Sequence, residues 1–203
     1  MKYIITESQY NLLVEQIVGL EGLLDRMKQE YPQIRPQDVE VIEKFITDSN
    51  VGRILVEPIK MGEGLSLSDR VIINPSVFKY PLPKALYIIF HEIAHQYQFK
   101  KYGADKMYEC YTGDLSDEEA ADLIKRVEEV ADEFALKKVR QLINLGFPID
   151  KTEFTNVKSM YKITPSSRFI PLIQNVKKMI KGQNITNPED ISEMFYNWVK
   201  INL

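Results

Sequence analysis

Hydrophobic residues recur at helical spacing near both ends of this chain. Residues 6–9 have the form of a capping box, and the apolar positions that follow predict an amphipathic helix to about Tyr31. A second predicted helix ends near Asn50, and the ranges 165–181 and 188–201 are also amphipathic at helical spacing. The first two helices are expected to serve as packing elements.

The middle of the chain changes to short β-rich pieces. The ranges 53–56 and 70–73 predict strands of a small sheet, separated by a glycine-containing turn at 61–64. Residues 3–5 predict a further short edge strand. An exposed edge of such a sheet can bind a peptide in extended form, although an ordinary sheet covering the core is an equally good interpretation.

The helix predicted from Lys84 to about Tyr102 is apolar on nearly all sides as far as Ala94, which is typical of a central buried helix. Gly103 is expected to end this helix, because glycine is common just after a helix C-terminus. The range 104–115 is expected to be an irregular loop.

A second capping box at residues 116–119 opens a long predicted helix that ends near Leu145. Further on, Asp150 or Thr152 can cap a short helix. The pattern as a whole predicts an α+β fold that is predominantly helical. We expect one domain over residues 1–203, made of N-terminal helices (1–50), a small sheet with the metal-site helices (51–147) and a C-terminal helical part (148–203).

The amino-acid composition indicates an ordinary globular protein. Hydrophobic residues make up 44% and charged residues 27% of the chain, as in an ordinary globular protein. No apolar run approaches the roughly 20 residues that span a bilayer, and the opening residues do not form a secretion signal, so we expect a cytoplasmic protein without a membrane partner. Cys110 is the single cysteine, which excludes an internal disulfide and fits a reducing compartment.

The charges are unevenly distributed although the net charge is −3. The range 109–133 holds ten acidic residues against two basic ones, and the range 151–181 holds seven basic residues against one acidic residue. The basic segment is the one feature that hints at nucleic acid, which we otherwise do not expect as a partner. The alternative is that the two runs are solvated faces or complement each other within one fold.

The chemistry is concentrated on the buried helix. His91 and His95 are the only two histidines, four residues apart, and Glu92 directly follows the first. Both imidazoles therefore share a helix face and can bind one metal ion, while Glu92 can reach a water on that metal. This is the H-E-x-x-H arrangement of zinc hydrolases. The alternative is a pair of buried histidines satisfied by carbonyl groups. That alternative leaves the carboxylate of Glu92 buried without a partner, which is costly, so the metal site is the favoured interpretation.

Catalytic zinc sites usually have three protein ligands and one open position, so a third ligand is required. Glu128 lies in the apolar stripe of the long helix, four after Ile124 and three before Ala131, whereas Glu129 belongs to a solvated face. Glu128 is therefore the predicted third ligand. Asp132, one turn later, is predicted to accept the free N–H of a ligand imidazole. The alternative for Glu128 is a half-buried acid paired with a lysine or arginine.

Residues 91–95 together with 128–132 resemble the gluzincin zinc metallopeptidases, whose third ligand is the first Glu of an E-x-x-x-D/N element on a downstream helix. The pattern E-x-x-A-D-x-F-A that begins at Glu128 is most similar to the ImmA/IrrE-type peptidases. Those peptidases usually have Asn at the position of Asp132.

The strand at 70–75 also resembles the strand that precedes the active helix in several small zincins. The resemblance covers about residues 70–136, and it implies a zincin-like core with added N-terminal and C-terminal helices. The opening residues 1–9 resemble those of uncharacterised phage proteins.

These observations predict a zinc metallopeptidase that acts on a peptide or protein substrate. Zn²⁺ would be bound by His91, His95 and Glu128, and Glu92 would act as the general base and then protonate the leaving amine. A donor for the oxyanion is also needed, and five side chains are candidates: Tyr97, Tyr108, Tyr111, Tyr161 and Arg168.

Two other classes of function stay open. The first is a zincin-fold binding or structural protein, of phage or regulatory type, with a structural zinc and no catalysis. The second is nucleic-acid binding through the basic segment 151–181, which would show a steep dependence on salt.

Overall fold

A computed structural model of the protein describes residues 7–49, 51–60, 62–160 and 165–200. The fold is α+β and mostly helical, as the sequence predicts. The predicted strand at 3–5, the capping residue Thr6 and the candidate donor Tyr161 lie outside the described residues. The helices are α1 (Glu7–Glu30), α2 (Pro36–Asp48), α3 (Leu82–Tyr102), α4 (Ala104–Thr112), α5 (Asp117–Asn144), α6 (Lys151–Met160), α7 (Ile170–Gln183) and α8 (Pro188–Lys200), with 3-10 helices at Pro75–Lys79 and Ser166–Phe169.

The strands are β1 (Arg53–Val56), β2 (Gly64–Ser66) and β3 (Arg70–Ile73), in the order β1-β3-β2. β1 runs parallel to β3, and β2 runs antiparallel to it with Leu65 opposite Ile72. The predictions for β1 and β3 are confirmed. The prediction of a turn extending through Gly64 is wrong, because Gly64 begins β2, a strand of three residues without β-branched side chains that forms through its pairing with β3.

The two outer strands of the sheet differ in what lies beside them. Arg53 N–H donates to Asp69 and Glu57 N–H to Ile73, so in a parallel ladder the N–H and C=O groups of Ile54 point away from β3. Gly19 of α1 packs against that backbone so closely that a Cβ there would lie 1.9 Å from the Ile54 oxygen. α1 thus covers the β1 edge, and β2 forms the opposite edge.

Helix α3 occupies the centre of the core, and its densest packing is with α5. Both predicted boundaries of α3 are confirmed to within two residues: Pro83 lies in its first turn, and Gly103 follows its last residue with φ of +81°. Ala131 and Ala135 of α5 are fully buried, and their small side chains allow the two helices to approach closely.

The prediction of an irregular loop over residues 104–115 is wrong, because α4 occupies most of that range. α4 lies between Gly103 and Gly113. Its Tyr108 and Cys110 side chains are buried, with 4% and 3% of their surface exposed. Packing of this apolar face stabilises a helix that is too short for a clear periodic signal. Cys110 is a free buried thiol, and burial raises its pKa to about 12, which makes it a poor nucleophile.

The C-terminal part is helical as predicted, with Asp150 as the cap of α6: its Oδ1 accepts the backbone N–H of Thr152 at 2.6 Å. The amphipathic range 165–181 is not one continuous α-helix. A 3-10 helix comes first, and α7 follows it with Pro171 in its first turn. Within the described residues, no helix combines the length and the apolarity needed to cross a membrane.

Part of the charge asymmetry is neutralised within the fold. Lys177 of the basic segment lies 3.1 Å from Asp117 at the start of the acidic helix α5 and also donates to the Leu115 carbonyl. Gln174 donates to the same aspartate at 2.9 Å. At this contact the acidic and basic runs complement each other.

Candidate metal centre

The two histidines of α3 and Glu128 of α5 converge on one point. The Nε2 atoms of His91 and His95 lie 3.1 Å apart. Glu128 places Oε2 at 3.2 Å from His91 Nε2 and Oε1 at 3.4 Å from His95 Nε2. The three side chains form a group that could hold a metal ion. The i, i+4 spacing brings the imidazoles together, and the alanine-lined contact between the helices brings Glu128 to them.

Hydrogen bonds fix the tautomer of His95. Gln98 donates from Nε2 to the Val127 carbonyl at 3.0 Å, and a carbonyl can only accept. The Gln98 oxygen therefore faces His95 Nδ1, at 2.8 Å, and that nitrogen must carry the proton. In the neutral ring, Nε2 then presents its lone pair toward Glu128.

Asp132 lies beside the other ring nitrogen of His91. Its Oδ1 lies 2.9 Å from His91 Nδ1 and also accepts the Tyr87 hydroxyl. A carboxylate at this position favours a proton on Nδ1, so Nε2 of His91 also points its lone pair toward the centre. The structure thus places the Asp132 carboxylate next to an imidazole of the candidate centre.

The donor set fits a cation. Two imidazole lone pairs and one carboxylate converge, and such a group is repulsive unless a metal ion or protons lie between its members. A tetrahedral ion with bonds of 2.0 to 2.1 Å separates its ligands by about 3.3 to 3.4 Å. The two Nε2 atoms lie 3.1 Å apart, and each lies 3.2 or 3.4 Å from the nearer Glu128 oxygen, which are distances close to that value.

The same electrostatics governs proton binding. Burial lowers the pKa of His91, but the adjacent Asp132 and Glu128 carboxylates outweigh burial and raise it to about 10. Burial raises the pKa of Glu128, but His95 and His91 in their cationic forms hold it well below its usual range. Protons therefore compete with a metal ion for this centre.

Glu92 lies beside the centre in a space that a glycine keeps open. A Cβ on Gly64 of β2 would lie 2.5 Å from Glu92 Cγ and 2.9 Å from its Cδ. Ser66, two residues along the strand, donates from Oγ to the backbone carbonyl of Glu92 at 2.6 Å. Burial raises the pKa of the Glu92 carboxyl above its usual range, which suits a group that takes and returns a proton.

Two cavities meet at this centre, and Gly64, His91, Glu92 and Glu128 line both. One has a volume of about 270 Å³ and extends between α3, α4 and α5. The other has a volume of about 720 Å³ and extends past Asp132. The candidate metal-binding group thus borders both cavities.

The candidate donors for an oxyanion lie in different places. Tyr97 is 50% exposed and lines neither cavity, and the Tyr108 hydroxyl is hydrogen-bonded to Ser192 at 2.8 Å. Tyr111 lines the smaller cavity, and burial keeps its pKa well above 10, so its hydroxyl remains a neutral donor. Arg168 lines the larger cavity. Tyr108, Tyr111 and Arg168 thus line the cavities at the centre, and the Tyr108 hydroxyl is already held by Ser192.

Sequence reasoning missed three residues of the site. Gln98 lies one turn after His95 on the same helix, and this spacing was an available signal. Tyr87 lies one turn before His91 and was an available signal in the same way. Gly64 carried no signal, because its role depends on the approach of β2 to α3.

Comparison of the chain with known protein families, with curated proteins and with solved structures finds no significant match.

Proposed function

We propose that this protein is a zinc-dependent metallopeptidase with a zincin-like core related to the gluzincins. The observation that carries the proposal is the convergence of His91 Nε2, His95 Nε2 and the Glu128 carboxylate, with an oxygen atom within 2.9 Å of each Nδ1 atom. Two imidazoles and one carboxylate are the ligand set of catalytic zinc, which keeps a fourth position open. The position of Asp132 on the same helix as Glu128 further supports the relationship.

Zinc in this centre would supply Lewis acidity, which lowers the pKa of water to about 7 and polarises a carbonyl group. Glu92 supplies the proton transfer: its carboxylate takes the proton of the attacking water and returns it to the amine that leaves. Tyr111 or Arg168 donates to the oxygen that becomes negative. Asp132 and Gln98 hold the imidazoles in position throughout.

The edge strand supports a peptide as the substrate. Leu67 N–H donates to Arg70 and Asn74 N–H donates to Glu63, so residues 63, 65 and 67 bond to β3. In an antiparallel ladder the N–H and C=O groups of Gly64 and Ser66 must then point away from β3. Both residues line the cavity at the metal centre. An extended peptide that pairs with this edge would lie beside Glu92.

Two measurements test the proposal. Metal analysis of protein purified without chelators should give about one zinc per chain, and His91→Ala and Glu128→Ala should each lose it. Glu129→Ala is the matched control, because Glu129 neighbours Glu128 but is exposed. A wild-type protein that contains no zinc and binds none on titration would refute the centre.

The second measurement separates binding from catalysis. Glu92→Gln removes the base but none of the three ligands, so it should keep zinc and lose cleavage of a peptide library by about 10² to 10⁴-fold. Undiminished cleavage by this variant would refute the role of Glu92. Bound zinc without cleavage by the wild type would refute the peptidase and favour a binding or structural protein.

A further inference from the structure

The smaller cavity at the candidate metal centre changes character with distance from the metal ligands. At one end it is lined by His91, Glu92, His95 and Glu128. Beyond them the walls are mainly apolar and come from α3, α4, α5, α7 and α8. The principal wall residues are Phe99, Met107, Tyr108, Ile124, Leu172 and Phe195.

Two of the polar groups in these walls, on Tyr108 and Cys110, already have partners. The Tyr108 hydroxyl bonds to Ser192, and the Cys110 thiol donates to the Met107 carbonyl at 3.7 Å. Apart from the residues of the centre, Lys106 is the one charged residue among those that line the cavity, and it is exposed and paired with Glu109. A charged group that entered this part of the cavity would lose its hydration without compensation.

The volume of the cavity suits a large side chain. An engineered protein cavity of about 150 Å³ accommodates benzene. At about 270 Å³, this cavity has room for the side chain of phenylalanine or leucine, and alanine would leave most of it unfilled. Filling it with an apolar group removes that group from water, which is the main source of selectivity in an apolar pocket.

We propose that this cavity is the specificity pocket of the enzyme and receives one large apolar side chain of the substrate, adjacent to the bond that is cleaved. The inference rests on the proposed peptidase function. Leu65 and Ser66 of the β2 edge line the cavity, so a peptide paired with that edge directs alternate side chains toward it. One position of the substrate is therefore selected for size and apolarity, and acidic or basic side chains are rejected there.

The test is a peptide library varied at each position, cleaved by the zinc-loaded wild type. One position should favour phenylalanine or leucine over alanine by about 10- to 100-fold in kcat/KM, the range expected for burial of such a side chain. Met107→Trp narrows the cavity and should reduce this preference to near unity without loss of zinc. Met179→Trp is the matched control, because Met179 packs against the same apolar cluster but does not line the cavity.

The outcomes distinguish failure of the pocket from failure of the function. Cleavage with no preference at any position, or a preference unchanged by Met107→Trp, overturns the pocket and leaves the peptidase intact. If Met107→Trp does not fold, Met107→Ala tests the same point, because it should shift the preference toward tryptophan. If the wild type cleaves nothing, the affinities of labelled phenylalanine and alanine peptides are compared by fluorescence anisotropy. Tighter binding of the phenylalanine peptide, changed by Met107→Ala, supports the pocket. Equal affinity for the two peptides overturns it.

Discussion

Replacing Gly64 with alanine tests whether the sheet edge determines the position of Glu92, the proposed general base. The new Cβ would lie 2.5 Å from Glu92 Cγ, whereas ordinary contact begins at 3.4 Å, so the two groups must separate by about 0.9 Å (3.4 − 2.5). β2 is fixed by its pairing with β3, so the Glu92 side chain must give way, by rotation about its χ1 bond or together with α3. We therefore expect the Glu92 carboxylate to be displaced by about 1 Å, which at an active site costs on the order of 10²-fold in rate.

The assay compares kcat for peptide cleavage and zinc content in the wild type, Gly64→Ala and Gly22→Ala. Gly22 is the control, because a Cβ there meets nothing within 4 Å. Gly64→Ala should lose about 10²-fold in kcat and keep its zinc, since the atoms nearest the new Cβ all belong to Glu92 and none to a ligand. Activity within about twofold of the wild type, or loss of zinc, would contradict the reasoning.

Three further predictions follow from the same contacts. Because the pKa of His91 is raised from 6.5 to about 10, its protonation stabilises the metal-free protein fully below pH 6.5, and this contribution is lost as the pH rises toward 10. Zinc affinity should show the opposite trend and increase with pH by about tenfold per unit, as measured by chelator competition; an affinity independent of pH from 7 to 9 would contradict this. Asp132→Ala should weaken zinc binding about 10- to 100-fold, while the exposed Asp122→Ala should not change it. Gly19→Ala should destabilise the fold by about 1–3 kcal/mol or more in urea unfolding, because its Cβ would lie 1.9 Å from a backbone oxygen.

The three side chains of the candidate metal centre could be picked out from the sequence because their grouping depends on local geometry. The spacing of His91 and His95 fixes their common face on any α-helix, and the apolar stripe of α5 identifies Glu128 as the acid that faces inward. The predicted relation between Asp132 and a ligand imidazole follows from one further turn of that helix. No knowledge of the tertiary structure was needed for these residues.

The surroundings of the centre could not be predicted in this way. β2 contains a glycine and a serine in three residues, so its strand depends on the neighbouring β3 and not on propensity. α4 is nine residues long, and its helix depends on burial of Tyr108 against the C-terminal helices. The tautomer of His95 depends on Gln98 meeting a carbonyl of another helix. Each of these contacts joins segments that are distant in the sequence.

The candidate metal centre and the far wall of the apolar cavity come from different parts of the chain. The candidate metal-binding residues and Glu92 lie within residues 91–128, whereas the far wall of the apolar cavity includes Leu172 and Phe195. A buried hydrogen-bonded group holds α8 in place, because Ser192 bonds both Tyr108 of α4 and Ser68 beside β3. Substitutions of Phe195 should therefore alter which substrate side chain is accepted without altering zinc affinity. Substitution of Ser192 should loosen the whole wall, because it leaves the buried Tyr108 hydroxyl without a partner.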